Sequence, residues 1–386
     1  MSPAKKPVDW SKLEQAYGSA GSIPNHIADL ASTDADTRGQ AYSDLVSTIA
    51  HQGTRYSASA PAIPLLLELL DRPDLPDKHR PLYVIAILVG GLFGLGDGPY
   101  TFDGKQIIFN GKSWPRKKRL PYPEELPHWR DCYRAAESGL LRYETLLVDK
   151  DHRTRNAAAN LLALFRKHAD KDGLIVALRR CLDSDSDEHV RATAAWSLAN
   201  LAPGRAEVRK ALVDHLESKN QSERPLLALI CAISLLYSEQ ERAPERAVTI
   251  FAEWLAHADE DAIEAFEEWA ERDGLAEMGQ FIGAKLAAAA ARPLLPALRE
   301  RLSTVEDSHA FVWLTHAALH IVCDGKETKR QRSLTSLTEE QREFLQELTE
   351  LGWDMRIDVS IEAQRYGVGD ALDALWPTEP AENESD

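Results

Sequence analysis

Cysteine is scarce in this chain. Cys132, Cys181, Cys231 and Cys323 are its four cysteines, far apart and with no Cys-x-x-Cys pair. That excludes a disulfide framework and a cysteine-rich zinc site as organising principles. No uncharged run is long enough to span a bilayer, and Ser2-Pro3-Ala4-Lys5-Lys6-Pro7 offers no apolar core of a signal peptide. The expectation is a cytoplasmic protein with no membrane partner. Catalytic signatures are missing as well. The glycines at Gly94, Gly96 and Gly98 lead to no Lys-Ser or Lys-Thr of a phosphate loop, Gly-x-Ser-x-Gly is absent, and no histidine has a Ser or Cys partner that spacing identifies. No enzymatic activity, cofactor or resident metal is expected.

What is present is ordinary for a folded chain: 44% hydrophobic and 27% charged residues over 386 positions. The net charge of −16 is unevenly spread. Residues 101–180 hold 17 Lys and Arg against 10 Asp and Glu, so this stretch is basic and the remainder strongly acidic. Such separation steers charged partners without saying anything about chemistry.

The strongest signal is a recurrence. Asp34, Arg38, Ala41 and Leu45 are spaced like Asp151, Arg155, Ala158 and Leu162, and like Asp187, Arg191, Ala194 and Leu198. Steps of three and four put the last three positions of each set on one helix face. A second series, Leu174, Leu178 and Leu182, returns 34 residues later as Val208, Leu212 and Leu216, marking the other helix of each pair. Helix pairs recurring at this period form a solenoid, because one pair cannot bury its apolar face alone. The acid, in the turn between paired helices, can accept from free N–H groups of the second helix. The Arg one turn on can reach that carboxylate or the neighbouring turn's. The predicted fold is therefore an all-α solenoid with one irregular, hairpin-containing insertion.

Along the chain, residues 8–17 read as a short amphipathic helix ending at Gly18, and 23–30, 38–49, 61–70 and 82–92 as further helices. The glycines then break the pattern. Asp103-Gly104 and Asn110-Gly111 predict turns around a strand at 107–109, followed by the cluster Arg116, Lys117, Lys118 and Arg119. Helix resumes at 129, and 225–236 is apolar all round, so it must be buried on several sides. Residues 247–256 and 263–269 are helical but acidic, and alanine-rich 275–291 should pack closely. Thr338 to Gln341 is a capping box. The expected organisation is 1–93 as N-terminal repeats, 94–128 as the basic insertion, 129–376 as the main solenoid with its cap, and 377–386 as a disordered acidic tail.

The Asp151/Arg155 and Asp187/Arg191 positions resemble HEAT repeats. The run Trp10, Tyr17-Gly18, Ile49-Ala50-His51-Gln52-Gly53-Thr54 and Pro64-Leu65-Leu66 is similar to a group of bacterial, PBS-lyase-like HEAT proteins. That resemblance implies a non-catalytic interaction module lining its concave face with second helices, and for some similar proteins the neutralisation of a toxin. The positions it points to for binding a protein partner, such as a basic toxin or effector, are Asn160, Thr193, Trp196 and Asn200. The alternative it carries is nucleic-acid binding, since HEAT-like-repeat alkylpurine DNA glycosylases resemble this fold, though their concave surface is broadly basic.

Three constellations remain open on the residues alone. Trp196 lies two residues from Ala194 and from Leu198, about 160–200° off the core face at ~100° per residue. It is either an exposed aromatic anchor or packed against the next repeat. His316, His320 and Cys323 have a spacing that could turn three ligands toward one metal, but they converge poorly on a straight helix, which favours a partly buried helix instead. Trp114, Arg116, Lys117, Lys118, Arg119 and Tyr122 could grip phosphates and stack bases, or dock on an acidic protein.

Overall fold

In a computed structural model, the structure describes residues 8–90, 100–102, 107–109, 112–113, 126–218, 224–270, 274–351 and 355–376. The chain is an all-α solenoid of helix pairs, divided into two compact units. The described residues up to Ser234 form the first and those from Leu235 the second, so the division falls inside one helix rather than at the insertion.

In the first unit, α1 (Ile23–Asp29) pairs with α2 (Ala35–Ile49), and α3 (Ser59–Leu70) with α4 (His79–Val89). A bent first helix, α5 (Leu126–Glu137) and α6 (Leu140–Leu146), precedes α7 (His152–Ala163). The pair α8 (Lys171–Ser184) and α9 (Glu188–Leu201) follows, then α10 (Ala206–Leu216) and α11 (Pro225–Glu239). The second helices stack in order, α2 on α4, α4 on α7 and α7 on α9. The apolar spacing explains this: Ala41, Leu45, Ala158, Leu162, Ala194 and Leu198 are all fully buried. Leu174, Leu178 and Leu182 on α8, and Val208, Leu212 and Leu216 on α10, are buried at matching positions. As its composition requires, 226–236 of α11 is buried on every side.

The second unit holds α12 (Glu245–His257), α13 (Glu260–Ala270), α14 (Gly274–Lys285), the short α15 (Ala288–Ala291), α16 (Leu295–Leu302), α17 (Ser308–Val322), α18 (Glu339–Leu351), α19 (Arg356–Arg365) and α20 (Gly369–Leu375). Its centre is the contact of α14 with α17, with α12 against α16 and α19 against both α17 and α20. The capping box is formed: Gln341 N donates to Thr338 Oγ1 and Thr338 N to Gln341 Oε1, each at 3.2 Å.

The helix expected over 8–17 is absent. A single 3-10 turn, Trp10–Lys12, leads into a two-stranded ribbon of β1 (Glu14–Gln15) and β2 (Gly18–Ser19). The cause is tertiary. Glu14 N donates to Ser57 Oγ at 2.8 Å, Glu14 O accepts from Ala58 N, and Ala16 N donates to Thr48 O, so these backbone groups are bonded outside any local helix. Within the insertion, β3 (Tyr100–Phe102), β4 (Ile107–Phe109) and β5 (Lys112–Ser113) form an antiparallel sheet in that order, with Thr101 opposite Ile108. The tail 377–386 lies outside the described residues.

Candidate interaction surface

The turns between helices set the register of everything the first unit can present. Asp34 caps α2 by accepting from Thr37 N at 2.8 Å, and Asp187 caps α9 by accepting from Val190 N at 3.1 Å. Asp151 caps α7 through Arg153 N at 3.2 Å. Two residues earlier a second polar side chain ties down the cap itself: Ser32 accepts from Asp34 N, Asp149 from Asp151 N and Asp185 from Asp187 N.

The arginines then point forward along the stack. Arg155 binds Asp185 of the next turn through Nε and Nη2, both at 2.8 Å, while its Nη1 donates to the carbonyls of Asp149 and Lys150. Arg38 repeats the arrangement, with Nε on Asp77 at 2.7 Å and Nη1 on the carbonyls of Ser32 and Thr33. Each guanidinium thus closes the end of one helix pair and grips the next. Burial works to raise the Asp77 pKa, and the hydrogen bond from Arg38 together with the electrostatic attraction of Arg38, His79 and Arg80 outweighs it, so the carboxyl stays below its usual range. Arg191 departs from the pattern: its Nε donates to Leu182 O at 2.8 Å, and its Nη2 meets His215, whose other nitrogen is 3.2 Å from Asp183.

A fourth unit escaped the sequence reading because its charged positions are replaced. His79 stands two residues after Asp77, as Asp187 stands two after Asp185, and Tyr83 and Ala86 fall at the Arg and Ala positions. The signal was the surviving spacing. Burial and the nearby Arg153 push His79 down to about 4, against the pull of Asp77 and Asp151. Asp307, Phe311, Leu314 and Ala318 are a similar case in the second unit, where Asp307 caps α17 through Ala310 N at 2.7 Å.

Of the expected binding positions, Asn160 is half-buried on α7. Thr193, Trp196 and Asn200 are only 3%, 7% and 7% exposed, so Trp196 is no exposed anchor. All of α9 from Val190 to Leu201 is buried. Asn200 serves as a brace, accepting from Arg166 Nη2 at 2.6 Å and donating to Trp196 O at 2.9 Å. The available signal was the uncharged stretch 192–204, too long for a helix with an open face. Trp114, Arg116, Lys117, Lys118 and Arg119 lie outside the described residues, as does Tyr122.

His316, His320 and Cys323 are directed to three different partners. His316 Nδ1 is 2.8 Å from Glu362 Oε2, His320 Nε2 is 3.0 Å from Leu286 O, and Cys323 Sγ accepts from Arg332 at 3.8 Å. Among the described residues no group of His, Cys, Asp and Glu could hold a metal.

The open apolar positions lie on the first helices instead. Leu140, Tyr143, Leu146 and Leu147 are buried, and so are Ile175, Leu178, Cys181 and Leu182, 35 residues further on. That register makes Leu141 and Val176 the same position in consecutive repeats, and both are exposed, at 76% and 53%. Val148, two turns beyond Leu141, is 84% exposed. Apolar side chains left in water at matching positions of α6 and α8, with Val148 in the turn that follows α6, are what a protein contact uses.

Residues 141–230 match the family model for HEAT repeats. The exposed row and the Asp–Arg turns of α7 to α9 therefore belong to HEAT repeats. No curated protein matches the chain. Among solved structures it is similar to two engineered proteins. One is 17% identical, with 92% of this chain and 91% of that one covered and a TM-score of 0.34. The other is 20% identical, with 78% and 97% covered and a TM-score of 0.30. At scores this low, the HEAT match and the helix pairs themselves carry the fold. Among the described residues no helix is long and apolar enough to cross a membrane.

Proposed function

We propose that this chain is a non-catalytic recognition module that binds a protein partner through its HEAT repeats. The observation that carries the reading is the exposed row Leu141, Val148 and Val176 within the matched repeats. HEAT repeats commonly bind protein partners, and Leu141 and Val176 at repeat spacing, with Val148 in the turn after α6, offer exposed apolar contact area. The row replaces α9 as the proposed surface, with Asn160 and the insertion residues Trp114, Arg116, Lys117, Lys118 and Arg119 as further proposed contributors.

The sharper form of the reading is neutralisation of a basic toxin or effector. It is supported by the net charge of −16 and by the exposed acids of α12 and α13, Glu253, Glu260, Asp261, Glu264 and Glu268, which attract a cationic protein over several ångströms. The test is affinity capture from the native cell extract, with and without nuclease, using the parent chain and a Leu141→Glu/Val176→Glu variant. A dominant protein held by the parent after nuclease and lost by the variant is the expected result. A partner kept by the variant removes the row from the interface. Recovery that vanishes with nuclease replaces the reading with nucleic-acid binding, to be followed by charge reversal of Arg116, Lys117, Lys118 and Arg119.

A further inference from the structure

The helix α19 has two contrasting faces. One is committed inward: Val359 and Ala363 are fully buried, and Glu362 meets His316 at 2.8 Å and Arg365 at 3.0 Å. The other carries Ile357 and Ile361, one turn apart and 76% and 53% exposed. At ~100° per residue, Ile357, Ile361 and Gln364 form one stripe within about 60°, and Asp358 and Arg365 both fall on the same flank of it. Adjacent isoleucines left in water on a helix otherwise well packed are an apolar contact without its counterpart.

We propose that α19 docks on α19 of a second copy of this chain, antiparallel, about a two-fold axis near Ile361. The argument is charge complementarity. In an antiparallel two-fold pair, equal flanks face each other, so residues equidistant from the axis meet. Asp358 and Arg365 lie three and four residues on either side of Ile361, so Asp358 of each copy meets Arg365 of the other, giving two identical ion pairs. Ile361 packs on its own symmetry mate and Ile357 on the partner's Gln364. The guanidinium is already oriented: Arg365 donates to Glu362 and Glu327 from one side, yet keeps 41% of its side chain exposed for a further acceptor. The acid that would repel a second carboxylate, Glu362, is 12% exposed and faces His316 and Arg365. A parallel pairing would turn this flank to opposite sides of the interface in the two copies, so Asp358 and Arg365 would not meet, and the two ion pairs form only in the antiparallel arrangement.

The experiment is sedimentation velocity of the full chain up to about 100 µM, together with an Ile361→Cys variant under oxidation. The expected result is a reversible species of twice the 43.0 kDa chain mass. Ile361→Glu, at an exposed position and checked for an unchanged melting curve, should weaken it at least ~10-fold. Ile361→Cys should cross-link to a dimer, because that position meets itself, whereas Gln346→Cys on exposed α18 surface should not; the four native thiols are all buried. A chain that stays monomeric at every concentration overturns the proposal. A dimer that survives Ile361→Glu, or that fails to cross-link at 361, overturns it equally, since the copies then meet elsewhere.

Discussion

At the scale of the residue, the decisive group is the forward-reaching arginine. Arg155 and Asp185 are 12% and 7% exposed and joined by two parallel hydrogen bonds, so removing one partner strands the other in a poorly hydrated turn. We expect Arg155→Ala and Asp185→Ala each to lower stability by about 2–3 kcal/mol in urea denaturation. Asp187→Ala should cost about 1 kcal/mol as a lost cap. His79 gives a pH dependence of known sign. Its folded pKa, about 4, lies below the unfolded value, 6.5, so between these two the unfolded chain binds the extra proton. Its contribution is present above pH 6.5 and is lost as the pH falls toward 4, with a slope of at most ~1.4 kcal/mol per pH unit from one proton. His79→Gln should flatten that part of a stability–pH curve; an unchanged slope would assign it to other groups.

At the scale of the element, α14 and α17 show how little room a helix contact can leave. A Cβ on Gly279 would lie 2.5 Å from the carbonyl of Trp313, and one on Gly283 would lie 2.4 Å from the His316 ring. Alanine normally gains ~1 kcal/mol over glycine inside a helix. Here the neighbour at Gly279 is backbone and cannot move aside, so Gly279→Ala should be net destabilising by about 1–3 kcal/mol in thermal or chemical denaturation. The helices were legible wherever local spacing and burial agree. The acid, Arg and apolar steps located α2, α7 and α9, and the capping box located the start of α18. They failed where other parts of the chain decide: Glu14 and Ala16 spend their backbone groups on Ser57, Ala58 and Thr48, and no local pattern in 8–17 records that. The repeats that carry the candidate site were legible, but the burial of α9 within them was not. Helical spacing tells which side of α9 meets its own pair, not whether neighbours cover the other side as well.

At the scale of the whole molecule, the stack of helix pairs distributes stability between neighbours. Each described Asp–Arg link of this type joins one turn to the next, so a defect should be felt one repeat away and little further. Hydrogen exchange on Asp185→Ala should show faster exchange in α7 and α9, with α18 to α20 unchanged. Acceleration spread evenly over both units would mean that the chain opens as one block. The forward reach of Arg155 also bears on how such a chain can change length. Its partner lies in the following turn, and both turns read Asp-x-Asp, at Asp149 and Asp151 and again at Asp185 and Asp187. Excising 151–186 would join Asp149 and Lys150 to Asp187 and recreate the same turn, whereas a cut that began just after 155 and ran past 185 would keep Arg155 and remove its partner Asp185. Gain and loss of sequence here are therefore quantised: the molecule can be lengthened or shortened by whole repeats, and the spacing of its carboxylates sets the size of the step.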